Sequence, residues 1–109
     1  MSTPVAELRT RWVAVGSPDD IPAQGARVVL TQDAAIAVFK TVDGRIFALE
    51  DHCPHKGGPL SQGIVHGDCV SCPLHGMKIS LAEGKALAPD EGEVRRYPVK
   101  STTTCCIWI

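Results

Sequence analysis

Two short signatures, Cys53-Pro54-His55 and Cys72-Pro73-Leu74-His75, stand sixteen residues apart and constrain the fold of this chain more than any other feature. A fold that uses them must bring two segments, each offering one thiol and one imidazole, to a common point. In extended backbone the side chains at i and i+2 lie on the same side, so Cys53 and His55 can face one site together. Pro54 fixes the angle between them. Pro73 biases Cys72 away from helix, and Leu74 lets the chain turn before His75 returns to the same site, so the second arm is a loop. Gly57, Gly58 and Gly76 follow the two histidines, where backbone must pass close to bulky atoms and offer N–H groups to them.

Two thiolates on one iron and two imidazoles on the other are the ligation of a Rieske [2Fe–2S] centre. Two cysteines and two histidines can also hold a tetrahedral zinc ion. Zinc fingers usually pair Cys with Cys in one arm and His with His in the other, whereas here each arm carries one of each. The remaining candidates are read as non-ligands. Cys69 and Cys72 form a Cys-x2-Cys. However, Ile64-Val65-His66-Gly67-Asp68-Cys69-Val70-Ser71 reads as two short strands around a Gly-Asp turn, and residues three apart in a strand face opposite sides. Cys69 is therefore expected to be a small packing residue. His52 should alternate away from Cys53, and His66 sits beside the turn. Cys105 and Cys106 are adjacent in a β-branched run, where disulfide geometry is not met, and are read as free thiols.

At 109 residues the chain is read as one domain, residues 1–109. A domain of that size buries about 60–70% of its unfolded surface, a modest core that a bound cluster would supplement. The charge is balanced, with 11 basic and 12 acidic residues and no Lys/Arg stripe, which argues against nucleic acid and anionic membrane as partners. Residues 1–11 carry Glu7 and Arg9 and no apolar stretch of the signal-peptide kind, and no apolar run is long enough to span a bilayer. The expected compartment is the cytoplasm. An odd count of 5 cysteines fits thiolates and thiols in a reducing compartment better than disulfides.

The punctuation along the chain is that of an all-β protein. Strands are expected at 12–15, 27–31, 35–41 and 45–50, the last two flanking the hairpin signal Asp43-Gly44. A second hairpin is expected from 77–81 and 85–88 around Glu83-Gly84, followed by a strand from 94 to 100. No segment shows helical periodicity over several turns, and there is no internal repeat. The β-branched residues of 101–109 favour a further strand, which must pack against the sheet or a partner because an exposed one would be adhesive.

The run from Asp51 to Gly67, with its His55-Lys56-Gly57-Gly58-Pro59-Leu60-Ser61, then Ser71-Cys72-Pro73-Leu74-His75-Gly76 and Ala88-Pro89-Asp90-Glu91-Gly92, resembles the Rieske-type small subunit of bacterial assimilatory NAD(P)H-dependent nitrite reductase. Trp12-Val13-Ala14-Val15 and Asp20-Ile21-Pro22 resemble that subunit's opening strand and turn. The resemblance implies a Rieske fold, with antiparallel sheets in a sandwich or barrel-like base and a small cluster-binding subdomain at about 50–80. It implies one [2Fe–2S] cluster per chain, with Cys53 and Cys72 on one iron and His55 and His75 on the other. It implies an electron-transfer role and no catalytic side chain in this chain. The implied partner is a large nitrite reductase subunit with flavin, [4Fe–4S] cluster and sirohaem, which reduces nitrite to ammonia in nitrate assimilation. Nothing in these residues forms a Gly-rich dinucleotide fingerprint. Two other readings share the motif: a stand-alone Rieske ferredoxin delivering electrons to a ring-hydroxylating dioxygenase, and a structural, non-redox subunit.

High-potential Rieske proteins of respiratory complexes resemble this pattern but carry an extra cysteine in each arm, joined as a disulfide. Gly58 and Leu74 occupy those positions here, and Met77 stands where a hydroxyl donor to sulfur is expected. Fewer hydrogen bonds to sulfur leave the reduced, more negative cluster less stabilised. The expected potential lies toward roughly −150 mV rather than +300 mV. Imidazole ligation further implies a potential that falls at alkaline pH, because oxidised iron makes the outer ring N–H more acidic.

Overall fold

Ala35-Ile36-Ala37-Val38-Phe39 is apolar at every position, and a strand of that composition needs cover on both faces. The computed structural model supplies it. It describes residues 12–31, 34–54, 58–73, 76–88, 90–101 and 105–108. Ten strands are assigned among them: β1 (Trp12–Gly16), β2 (Gly25–Leu30), β3 (Ala35–Lys40), β4 (Ile46–Glu50), β5 (Ile64–His66), β6 (Cys69–Ser71), β7 (Lys78–Ser80), β8 (Arg96–Tyr97), β9 (Val99–Ser101) and β10 (Cys105–Trp108). Two single 3-10 turns, Pro18–Asp20 and Leu60–Gln62, are the only helical pieces among the described residues.

The strands form three antiparallel sheets, in the orders β2-β3-β4-β8, β1-β10-β9 and β5-β6-β7. The four-stranded sheet lies between two cores. Ile36, Val38, Ala48 and Tyr97 on one face pack with Val15, Ile21, Cys105 and Ile107. Ala37, Phe39 and Leu49 on the other face pack with Leu60, Val65, Val70, Met77 and Ile79, which belong to the small sheet and its approaches. Alternation along β3 and β4 thus divides one sheet's side chains between two compartments.

The β3–β4 hairpin turns at Asp43-Gly44, as expected, with Gly44 at φ +90 and its N–H donating to Thr41 O at 3.0 Å. Buried Thr41 organises this turn: its hydroxyl donates to the Asp43 carboxylate, and its oxygen accepts the Arg45 N–H at 3.0 Å. Arg45 pairs with Asp43 at 3.0 Å and with Asp68 on the β5–β6 turn, so the base hairpin is tied to the small sheet. The Thr41 hydroxyl first, and the Arg45 guanidinium second, hold the Asp43 carboxyl below the usual carboxylate range. A carboxyl with a depressed folded pKa contributes stability at neutral pH that is lost as the pH falls through the acid range.

Two expected strands are corrected. Residues 85–88 form only the isolated bridges Ile79↔Ala86 and Lys85↔Glu93. The backbone there alternates partners, Ala86 N–H donating to Gly92 O and Leu87 N–H to Lys78 O, so no ladder builds on either side. The expected strand 94–100 is two strands in different sheets, β8 and β9. Pro98 separates them because it has no N–H to continue the β8 ladder, and the chain crosses between sheets there. The C-terminal run does pack: β10 is the central strand of its sheet, between β1 and β9. Cys105 is fully buried and burial pushes its thiol pKa up, while neighbouring Cys106 is half-buried; neither is in a disulfide. No helix among the described residues is long and apolar enough to cross a membrane.

Candidate metal centre

Both arms are built by the same backbone device. The Cys53 N–H donates to Gly58 O at 2.7 Å, and the Cys72 N–H donates to Met77 O at 2.8 Å. In each arm the cysteine therefore closes a loop with the carbonyl five residues on. Gly76, at φ +70, returns its N–H to Cys72 O at 2.9 Å. Gly58 and Met77, which offer neither a disulfide cysteine nor a hydroxyl donor, serve instead as the backbone acceptors of these closures.

The two loops deliver their cysteines to the same core. Cys53 is 0% and Cys72 is 2% exposed, and both belong to the core cluster that includes Leu60, Val65 and Met77. His55 and His75 lie outside the described residues, as does Leu74. His52 is exposed, in keeping with its expected direction away from Cys53. His66 engages Ser71, Nε2 to Oγ at 2.6 Å. Cys69 is half-buried on the outer face of β6, beside His66 and Ser80 in the cross-strand register, while Val70 faces inward. It points away from Cys72 as the strand alternation requires, but it packs on the outer face and not in the core.

Three contacts around the two arms were not visible as functional residues in the sequence. The Asp51 carboxylate accepts the Ser61 N–H at 2.7 Å and its hydroxyl at 2.8 Å. Gly63, leading into β5, sits so close to the end of β6 that a Cβ there would lie 2.0 Å from Ser71 O. Gly92, at φ +133, lies against Pro54, whose Cβ would be 3.0 Å from a Cβ at position 92. The loop bearing Asp90 and Glu91 therefore rests on the first arm, although some thirty-five residues separate them in sequence. Gly92→Ala is expected to cost about 1–3 kcal/mol, because a backbone open to glycine alone would be forced on alanine and Pro54 would have to move. Thermal unfolding of the two proteins measures it.

The donor chemistry fits an iron–sulfur centre. Two thiols enter one apolar, water-shielded core from two loops closed in the same way, and in the sequence of each loop a histidine follows the cysteine. The Rieske [2Fe–2S] domain matches residues 11–98. The chain belongs to the Rieske family. Like other Rieske domains it carries a Rieske-type [2Fe–2S] cluster and transfers electrons.

This Rieske domain is 33% identical over 94 residues to the ferredoxin component of naphthalene 1,2-dioxygenase/salicylate 5-hydroxylase systems of a Ralstonia species, covering 85% of the chain and 89% of that protein. It is 29% identical over 108 residues to the iron–sulfur subunit of the toluene-4-sulfonate monooxygenase system of Comamonas testosteroni, covering 94% of the chain but only 31% of that subunit. Thus the chain spans about a third of the monooxygenase subunit and nearly all of the ferredoxin. In structure it superposes with TM-score 0.83 on a candidate NADH-dependent nitrite reductase small subunit from Mycobacterium tuberculosis, at 23% identity and covering 92% of this chain and 96% of that one. At that identity the likeness shows the Rieske fold.

Proposed function

We propose that this Rieske protein is the small subunit of an NAD(P)H-dependent nitrite reductase, with Cys53 and Cys72 on one iron of its cluster and His55 and His75 on the other. The observation that carries this reading is the meeting, at the first arm, of the sequence runs that resemble that subunit. Ser61, at the end of the His-Lys-Gly-Gly-Pro-Leu-Ser run, bonds Asp51, and Gly92, at the end of the Pro-Asp-Glu-Gly run, rests on Pro54. Both runs thus shape the surroundings of the same ligand loop, which is where a subunit-specific feature acts on an electron carrier.

When bound, the cluster supplies one-electron exchange, and the chain's own residues determine where and at what potential. Cys53 and Cys72 keep the sulfur side of the site in a dry core. Their backbone N–H groups donate to Gly58 O and Met77 O, which leaves less of either for a bond to sulfur. This supports a potential toward the lower end of the Rieske range, near roughly −150 mV. A redox titration giving a strongly positive midpoint would contradict it.

A second reading has its own support. Similarity to the naphthalene dioxygenase ferredoxin component over nearly the full length of both proteins favours a free Rieske ferredoxin serving a ring-hydroxylating dioxygenase. Reconstitution separates the two. With the sirohaem-bearing large subunit, nitrite-dependent NAD(P)H oxidation is expected to rise on adding this chain and to fall back with His75→Ala. Activity that is indifferent to His75, together with electron delivery to a dioxygenase, would favour the second reading.

A further inference from the structure

We propose that Asp51 is a positioning residue for the first ligand arm, clasping the two ends of the loop that presents Cys53; the inference rests on Cys53 being a cluster ligand. The loop from 51 to 61 has both ends moored. Asp51 donates its N–H to Ala35 O on β3 at 2.9 Å. At the other end, Leu60 is fully buried in the core and its 3-10 turn packs on β2 and β3. Between these moorings the Asp51 carboxylate links the two ends directly, one oxygen on the Ser61 N–H and the other on the Ser61 hydroxyl. Inside it sits the smaller closure from Cys53 N–H to Gly58 O. The result is a pair of nested loops, and the outer one is shut by a charged acceptor with two donors. Such charge-assisted bonds are about twice as strong as neutral ones. In a domain whose arms carry no bracing disulfide, this clasp keeps the cysteine facing the core when the cluster is momentarily detached.

The test uses the cluster-loaded protein and follows loss of its visible colour to an iron chelator, with the EPR spectrum of the reduced protein alongside. Cluster loss proceeds through opening of the arm, so its rate follows the open population. Asp51→Ala is expected to bleach about tenfold faster or more and to broaden the EPR lines. Asp51→Asn is expected to bleach at a rate between those of the parent and Asp51→Ala: its amide oxygen accepts the same N–H and its NH2 donates to the Ser61 oxygen, so the clasp survives but without the charge assistance. Ser61→Ala deletes only the hydroxyl and is expected to bleach roughly several-fold faster, which keeps the test available should Asp51→Ala fail to fold. The double variant Asp51→Ala with Ser61→Ala should bleach no faster than Asp51→Ala alone. Bleaching of Asp51→Ala at the parent rate, or of Asp51→Asn as fast as Asp51→Ala, overturns the proposal. The ligand assignment fails separately, by Cys53→Ser keeping its cluster.

Discussion

Cys53→Ser and Cys72→Ser are each expected to yield a colourless protein with iron and acid-labile sulfide near background. Loss of an outer hydrogen-bond partner already costs about 10–100-fold in metal affinity, and loss of a thiolate removes a bond to iron outright. A serine hydroxyl does not ionise near neutrality, so it does not replace the thiolate. Both positions are sealed in the core, at 0% and 2% exposure. Cys69→Ser is the control: that thiol lies on the outer face of β6 and its replacement is expected to leave the colour intact. Elemental analysis of the parent protein also decides between the two metals the motif permits. One zinc per chain with no sulfide would replace the iron–sulfur assignment.

Gly63→Ala is expected to destabilise the fold by about 3 kcal/mol, a fall in thermal midpoint of roughly 12–24 °C. The cause is space alone. Gly63 has φ −80, which alanine adopts freely, but its Cβ would stand 2.0 Å from Ser71 O and 3.1 Å from Leu60 O. Both obstacles are backbone, so either the 3-10 turn or the end of β6 must shift, and Ser71 is the residue immediately before Cys72. Gly67→Ala makes the comparison. It has φ +59 and nothing within 4 Å, so it tests backbone strain without a clash and is expected to cost about 1–2 kcal/mol. Equal midpoints for the two variants would show that Gly63 is not sterically special.

Local chemistry made much of this site legible in the sequence. Cys-Pro-His and Cys-Pro-Leu-His fix loop geometry within a few residues, and strand alternation placed Cys69 and His52 away from the cysteine site. The hairpin at Asp43-Gly44 follows from turn preference at two positions. Contacts made at a distance were not legible. Asp51 and Ser61 are ordinary polar residues ten apart, and nothing in either marks them as partners until the 3-10 turn brings the Ser61 N–H round. Gly63 is required by what lies above it, the Ser71 carbonyl, and not by a φ that only glycine adopts. Pro98 did carry a signal, since proline interrupts a ladder, yet the strand was read through it. The register of β10 depends on β1, more than ninety residues earlier, and no pattern within 101–109 specifies such a partner.

The division of β3 between two cores bears on what happens when the metal is lost. Cys53 and Cys72 are counted in only one of them; the other, built on Val15, Ile36, Val38 and Ile107, contains neither. Oxidative destruction of the cluster is therefore expected to loosen one compartment first, and hydrogen exchange at the β1 and β10 amides of the cluster-free protein measures whether its neighbour stays packed.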